Sequence, residues 1–371
     1  MLASGSGDIA IVTRKWSLWR RFAVSALVFL AIGFLIFAVA GSNDEGRLAG
    51  AGSTLANPIL QQVSTAYQGY LAADRVDVAA QEGESNDWFA GASALNYDPV
   101  GSIGGLSRLG DPAITFAVTE VPVSPEELGS RSWVQFPLIL GGVAPVVNLD
   151  PGSVGLTLNA AVLAAIYRGD IANWSDPAIA ALNPDATLPD QPISVRHRSD
   201  GSGSTLTFTA YLAQAATWTE GRAAQIEWPV GEGAKGSSGL IDAVKATSGA
   251  IGYVEIGQAR RAGLTVARLV NGSGGVVAGE PQSIRQAAAV ADWRAGQAVE
   301  AASAAEGWPM TATVYVVMRE NDRQNGRALA FLRYFYAQAS RHADALGYVP
   351  LPAEVVTEIE TYWSAVLNPQ S

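Results

Sequence analysis

Arg198-Ser-Asp-Gly-Ser-Gly-Ser-Thr205 runs straight into an apolar, helix-compatible segment over residues 206–218. A Gly/Ser turn entering a helix presents unpaired backbone N–H groups, small hydroxyls and, here, one guanidinium. All three favour an oxyanion. Two further turns share this chemistry, Ala49-Gly-Ala-Gly-Ser-Thr54 and Gly101-Ser-Ile-Gly-Gly105. A lone Ser or Thr before a helix is ordinarily only an N-cap. Three such turns, one with an arginine, point instead to a shared pocket for a small tetrahedral anion. A buried dianion is costly unless hydrogen-bonded, and each charge-assisted bond contributes about 1.5–3 kcal/mol. Several of them exceed the roughly −8 kcal/mol of a micromolar complex, and the excess offsets desolvation and cleft closure.

Around these turns, short apolar runs alternate with amphipathic segments. Residues 55–71 read as a helix with Leu60, Val63, Tyr67 and Leu71 on one face. Residues 76–80 are strand-like, residues 81–96 read as a polar surface loop, and a helix starting at Leu106 ends at Asp111-Pro112 before a strand over 114–118. The long apolar stretch 138–147 is broken by Gly141-Gly142, and 158–167 is helical, ending near Gly169. Strands are expected at 250–254 and 312–317, and helices at 328–340 and 354–366. This alternation predicts an α/β fold.

The chain of 371 residues has room for two domains. It is 49% hydrophobic and 16% charged with ten Trp, enough to bury a sizeable core. Trp174, Trp228 and Trp308 are read as core rather than as ligand-stacking rings. Without cysteine there are no disulfides, no thiolate metal site and no acylated lipoprotein cysteine. Residues 1–40 carry Asp8 against Arg14, Lys15, Arg20 and Arg21, a net of +3, so a total of −10 leaves −13 on the remainder. So acidic a domain is a poor non-specific nucleic-acid binder, and an anion would be held by short-range hydrogen bonds against the long-range field.

Residues 22–40 form an uncharged apolar run, with basic residues before it and Asp44 and Glu45 after it. The charge asymmetry puts residues 1–21 in the cytoplasm and everything beyond the linker 41–47 outside. The run is long enough to span a bilayer as an anchor. Ala38-Val-Ala40 is also an acceptable signal-cleavage site, so both fates stay open.

Enzyme chemistry finds little support. His197 and Ser202 are a conceivable base and nucleophile, yet no Gly-x-Ser-x-Gly elbow surrounds Ser202 or Ser204. The Gly201-Ser-Gly-Ser-Thr205 turn lacks the lysine of a P-loop. With two His and scattered carboxylates, neither a metal site nor a cofactor is expected.

Across residues 48–368 the chain resembles the periplasmic phosphate-binding proteins of high-affinity phosphate ABC transporters. Gly50-Ala-Gly-Ser-Thr54, Tyr97-Asp-Pro-Val-Gly-Ser-Ile-Gly-Gly105 and Arg198-Ser-Asp-Gly-Ser-Gly-Ser204 are similar to that family's three phosphate loops. Phe116-Ala-Val-Thr-Glu-Val-Pro-Val-Ser124 resembles its acidic loop, and Phe136-Pro-Leu-Ile-Leu-Gly-Gly142 the entry to its second lobe. Ile166-Tyr-Arg-Gly-Asp-Ile-Ala-Asn-Trp174, Gly249-Ala-Ile-Gly-Tyr253 and Gly307-Trp-Pro-Met-Thr311 follow in the family's order.

The resemblance implies a type II periplasmic-binding-protein-like fold preceded by an apolar helix. Two α/β lobes, residues 48–143 with 309–371 and residues 144–308, would close on phosphate. It assigns phosphate contacts to Ser53, Thr54, Leu55, Ser102, Ser202, Gly203 and Ser204, and the positive charge to Arg198. Asp200, Gly101 and Gly104 would support them, and Glu120 would accept the proton of hydrogen phosphate. Sulfate has no such proton and would set lone pairs against lone pairs. The implied partners are inorganic phosphate and an ABC permease with its ATPase. Four departures stand out: Glu120 where the family carries Asp, Leu55 for an aromatic residue, Ser204 for Thr, and an apparent insertion over residues 83–95. The longer Glu120 leaves another oxyanion open as the ligand, and a sensor feeding a signalling partner is the alternative to transport.

Overall fold

The computed structural model describes residues 48–82, 95–149, 155–289 and 305–367. The apolar run 22–40 and most of the expected insertion, 83–94, lie outside them. Among the described residues no helix is long and apolar enough to cross a membrane.

The chain opens with strand β1 (Leu48–Gly52), helix α1 (Asn57–Glu82), β2 (Leu95–Asp98), α2 (Ser102–Arg108), β3 (Phe116–Thr119) and α3 (Pro125–Arg131). The long strand β4 (Trp133–Asn148) leads to β5 (Thr157–Leu158), α4 (Ala160–Arg168), α5 (Pro177–Leu182), β6 (Ser194–Arg198) and α6 (Gly203–Leu212). Next come β7 (Glu232–Ala234), α7 (Gly236–Ala246), β8 (Ala250–Glu255), α8 (Ile256–Arg261), β9 (Thr265–Val266), β10 (Arg268–Val270) and β11 (Val276–Val277). Helix α9 (Pro281–Ala289), strand β12 (Thr311–Arg319) and helices α10 (Asn325–Leu346) and α11 (Ala353–Val366) close the fold.

Nine strands form one mixed sheet in the order β2-β1-β3-β12-β4-β8-β6-β7, with β9 paired to β4. Strands β1, β2 and β3 are mutually parallel, as are β6, β7 and β8. The two parallel sets are joined through β4, whose residues 133–142 pair with β12 and whose residues 143–148 pair with β8. Such α/β sheets gather ligand-binding loops at the carboxyl ends of parallel strands. Ser53, Gly101 and Glu120 lie just beyond the ends of β1, β2 and β3, and Ser199 and Lys235 just beyond β6 and β7.

Several local expectations change. The stretch 76–80 is helical, because α1 runs on from Asn57 to Glu82. A helix nucleated on the buried face Ile59, Leu60 and Val63 gains a hydrogen bond for every residue added, which outweighs the strand preference of two valines. Helix α2 starts at Ser102, four residues before the expected Leu106. The apolar stretch 138–147 is not broken at Gly141-Gly142, since β4 is continuous through both. The glycines are there for close packing. A Cβ on Gly142 would overlap Ile256 Cδ1 and lie 2.9 Å from Ile284 Cδ1, and one on Gly141 would lie 2.9 Å from Leu55 Cδ2. Trp308 donates its indole N–H to Val143 O at 2.8 Å, where β4 changes partners. Trp174 and Trp308 are fully buried, and Trp228 packs among Tyr167, Phe208, Tyr253 and His197.

Glu255 ends β8 beside this junction and is fully buried. Its carboxylate accepts the N–H groups of Gly257 (2.6 Å) and Gln258 (2.7 Å), capping α8. Burial outweighs these bonds and the Arg260 and Arg261 charges, and pushes the carboxyl up to about 8. A raised folded-state value means the folded protein binds this proton more tightly than the unfolded chain. The contribution to stability is complete below the ordinary carboxylate range and is lost as pH rises through about 8. Glu255→Gln removes that dependence. Thermal melts at about pH 5 and about pH 9 are expected to show a larger loss of melting temperature in the wild type than in the variant. Parallel losses in the two proteins would contradict the raised value.

Candidate anion-binding site

Each site residue sits where a strand ends. At the end of β1, Gly52 has φ 132°, and a Cβ there would lie 3.0 Å from the Val118 carbonyl carbon. This tight exit ties Ser53 N–H to Val118 O (2.7 Å) and brings Ser53 beside the end of β3. Ser53 Oγ accepts from Ala56 N (2.9 Å) and donates to Glu120 Oε1. Tyr97, on β2, fixes the Ser53 carbonyl through its hydroxyl at 2.9 Å. Gly101, at φ 87°, turns the chain into α2, so that Ser102 Oγ donates to Glu120 Oε2 at 2.6 Å. Ser102 Oγ also accepts the Gly203 N–H at 3.1 Å, which docks the start of α6 against α2.

Glu120 is thus the centre of a buried cluster, with 6% of its surface exposed. Burial raises its carboxyl above the ordinary range, opposed by the Ser102 and Ser53 hydrogen bonds and by the Arg198 charge. Its side chain lies directly on Gly203, where a Cβ would overlap both Oε2 and the Glu120 Cβ.

Arg198, at the end of β6, is 4% exposed. Its Nε donates to Asp200 Oδ1 at 2.7 Å and its Nη2 to Asp200 Oδ2. A carboxylate can take two parallel bonds from a guanidinium, which fixes the plane of the charge. Burial pushes the Asp200 carboxyl up, but Arg198 and the Gly236 N–H together outweigh it and hold the group below its ordinary value. Gly101 must be glycine here too, because a Cβ would lie 2.6 Å from Asp200 Oδ2. Two of the five guanidinium N–H groups thus face Asp200.

The remaining candidates are placed as follows. Thr54 Oγ1 lies 2.8 Å from Ser237 Oγ. The Leu55 carbonyl accepts from Tyr348 (2.6 Å) and Gln258 (3.2 Å), while its side chain is buried. Ser202 caps α6, its Oγ accepting Thr205 N–H at 3.4 Å, and its own N–H bonds Ala224 O at 2.9 Å. Ser204 is buried in the first turn of α6. Gly104, in α2, faces Val100 just before that helix and not the cluster. His197 stacks on Trp228, so the conceivable His197–Ser202 pair has both members engaged elsewhere. Among the described residues no group of His, Asp and Glu could hold a metal ion.

One contributor was missed at the sequence level. Gly236 and Ser237 open α7, with Gly236 N–H donating to Asp200 Oδ1 at 2.9 Å. The signal was present, since Lys235-Gly-Ser-Ser-Gly239 is a fourth Gly/Ser turn entering a helix.

Comparison with known proteins places the chain in a family. Residues 38–339 match the PBP superfamily domain, so the chain belongs to that superfamily. Its relatives narrow the class. The chain is 34% identical to the phosphate-binding protein PstS of Xylella fastidiosa, covering 86% of this chain and 85% of the relative. It is 33% identical to PstS of Haemophilus influenzae, covering 91% and 97%. The chain is a member of the PstS family of phosphate-binding proteins. Among solved structures, a human phosphate binding apolipoprotein superimposes with a TM-score of 0.64 at 19% identity, over 85% of this chain and 93% of that one. A putative phosphate ABC transporter substrate-binding protein with bound phosphate from Clostridium perfringens gives 0.58 at 15% identity, over 82% and 100%. These two likenesses concern the fold.

The Glu120–Gly203 contact makes a direct prediction. Gly203→Ala forces a methyl group onto Glu120, and overpacking of this kind costs about 1–3 kcal/mol. Denaturant midpoints are expected to fall in Gly203→Ala and to recover most of the loss in a Glu120→Ala background. A wild-type midpoint for Gly203→Ala would mean that Glu120 does not lie on this helix start.

Proposed function

We propose that this chain is an extracytoplasmic receptor that captures inorganic phosphate at the Glu120 cluster and delivers it to an ABC permease. One observation carries the reading: a buried carboxylate shares its two oxygens between serine hydroxyls from two turns, against the start of a helix and near a fixed guanidinium. This is the donor set of an oxyanion pocket with one built-in acceptor. Membership of the PstS family supplies the ligand and the transport role. In this reading Ser53, Thr54, Ser102, Ser202 and Ser204 donate hydroxyls, Leu55 and Gly203 donate N–H groups, and Arg198 neutralises charge. Glu120 accepts the proton of hydrogen phosphate.

Ser53 and Ser102 exchange the Glu120 oxygens for phosphate oxygens, and Glu120 gains a phosphate O–H in return. Sulfate takes the same hydroxyls but offers Glu120 no proton, and two acceptors are left facing each other. The lobes are residues 48–143 with 309–371 and residues 144–308. Supporting this division, β4 exchanges β12 for β8 at Val143 and the site turns come from both parallel strand sets. In this reading residues 22–40 either keep the receptor at the membrane beside its permease as an uncleaved anchor or are removed as a signal segment.

Calorimetric titration tests the reading. Phosphate is expected to bind with about micromolar affinity or better, with no competition from sulfate. Absence of phosphate binding would overturn it, and equal binding of both anions would remove the proton-acceptor role from Glu120. Arg198→Ala is expected to weaken phosphate at least about tenfold, with Arg198→Lys in between because it keeps the charge and loses the planar fork. An unchanged affinity in Arg198→Ala would place the anion elsewhere.

A further inference from the structure

Ser237 belongs to α7, which reaches the cluster from the β7 edge of the sheet, whereas Thr54 follows β1 near the opposite edge. Their hydroxyl oxygens lie 2.8 Å apart and Ser237 is 2% exposed. Gly236 makes this approach possible. At φ 71° it adopts the left-handed conformation open to glycine, aims its N–H at Asp200 Oδ1 (2.9 Å), and delivers the next residue to Thr54. Thr54 is also held from a second side, since Gln258 Nε2 donates to its carbonyl at 3.0 Å. The start of α7 therefore touches both arms of the site: the guanidinium arm through Asp200 and the hydroxyl arm through Thr54.

We infer that Ser237 is a positioning residue that orients the Thr54 hydroxyl toward the bound anion and latches the α7 side of the cleft to the β1 side. This rests on the phosphate-binding reading. A threonine hydroxyl has one proton to give. If Thr54 gives it to the anion, the bond between the two hydroxyls runs from Ser237 to Thr54, and Ser237 holds the Thr54 rotamer that faces the pocket. The distance alone leaves either oxygen open as the donor. Phosphate thus selects one orientation of the pair, and the pair holds the cleft closed over it. The effect falls on escape of the ligand, because encounter takes place before the cross-cleft bond forms.

The test is a cycle of Ser237→Ala, Thr54→Val and the double variant in the full chain, read by phosphate affinity and by the dissociation rate of radiolabelled phosphate. Ser237→Ala is expected to weaken binding about five- to tenfold, almost wholly through faster dissociation, as fits the loss of one hydrogen bond. The double variant is expected to bind no more weakly than Thr54→Val alone, because the two hydroxyls act as a unit. Ser237→Thr, which keeps the hydroxyl, is expected to recover most of the affinity. An affinity within about twofold of wild type for Ser237→Ala, or full additivity in the cycle, would overturn the inference while leaving phosphate binding intact. A wild-type chain that fails to bind phosphate would overturn both.

Discussion

A carboxylate buried among hydroxyls and near a guanidinium is the constraint on which this structure turns. Glu120 cannot ionise cheaply at such a depth without donors, and Ser53 and Ser102 supply them. Arg198 cannot be buried without a partner, and Asp200 supplies it. These needs pull the ends of β1, β2, β3 and β6 to one place. Glycine is required wherever the backbones meet, at Gly52, Gly101 and Gly203, because a single Cβ would strike a carbonyl or a carboxylate. The fold supplies the frame in which strand ends can converge, and the charges decide how closely they do.

The same arrangement accounts for an acidic protein that binds an anion. A remainder carrying −13 repels phosphate at long range, so affinity depends on bonds made after entry. Asp200 takes up part of the Arg198 charge, and hydroxyl and N–H dipoles carry the rest of the load. Neutral donors have a further consequence. In the proposed reading they favour any tetrahedral oxyanion almost equally, which leaves discrimination to the Glu120 carboxylate. The Glu120 carboxylate extends far enough to meet both serines and to lie on Gly203.

Much of this was legible in the residues because Gly/Ser turns before helices signal themselves locally. The turns at 49–54, 101–105 and 198–205 needed only the order of glycine, hydroxyl residue and helix to be recognised. Glu120 was placed by resemblance, and no spacing in the chain shows that its oxygens meet Ser53 and Ser102, since those contacts join residues 67 and 18 positions apart. The turn at 235–239 carries the same local signal but no arginine, and its link to Asp200 and Thr54 exists only in three dimensions. Gly141-Gly142 reads locally as a break. It proves to be the thin point of a continuous strand onto which Ile256, Ile284 and Leu55 close. The strand reading of 76–80 failed for the opposite reason: a long helix already under way overrode a five-residue preference.

The central claim is that the Glu120 carboxylate marks the anion position and gives up its serine bonds when the ligand arrives. A crystal structure of the protein grown with phosphate tests it most directly. The account predicts phosphate oxygens within about 2.6–3.0 Å of Ser53 Oγ and Ser102 Oγ, with a Glu120 oxygen on the phosphate O–H and the Arg198 guanidinium alongside. Phosphate bound away from Glu120, or a Glu120 that keeps both serine bonds with phosphate present, would contradict it.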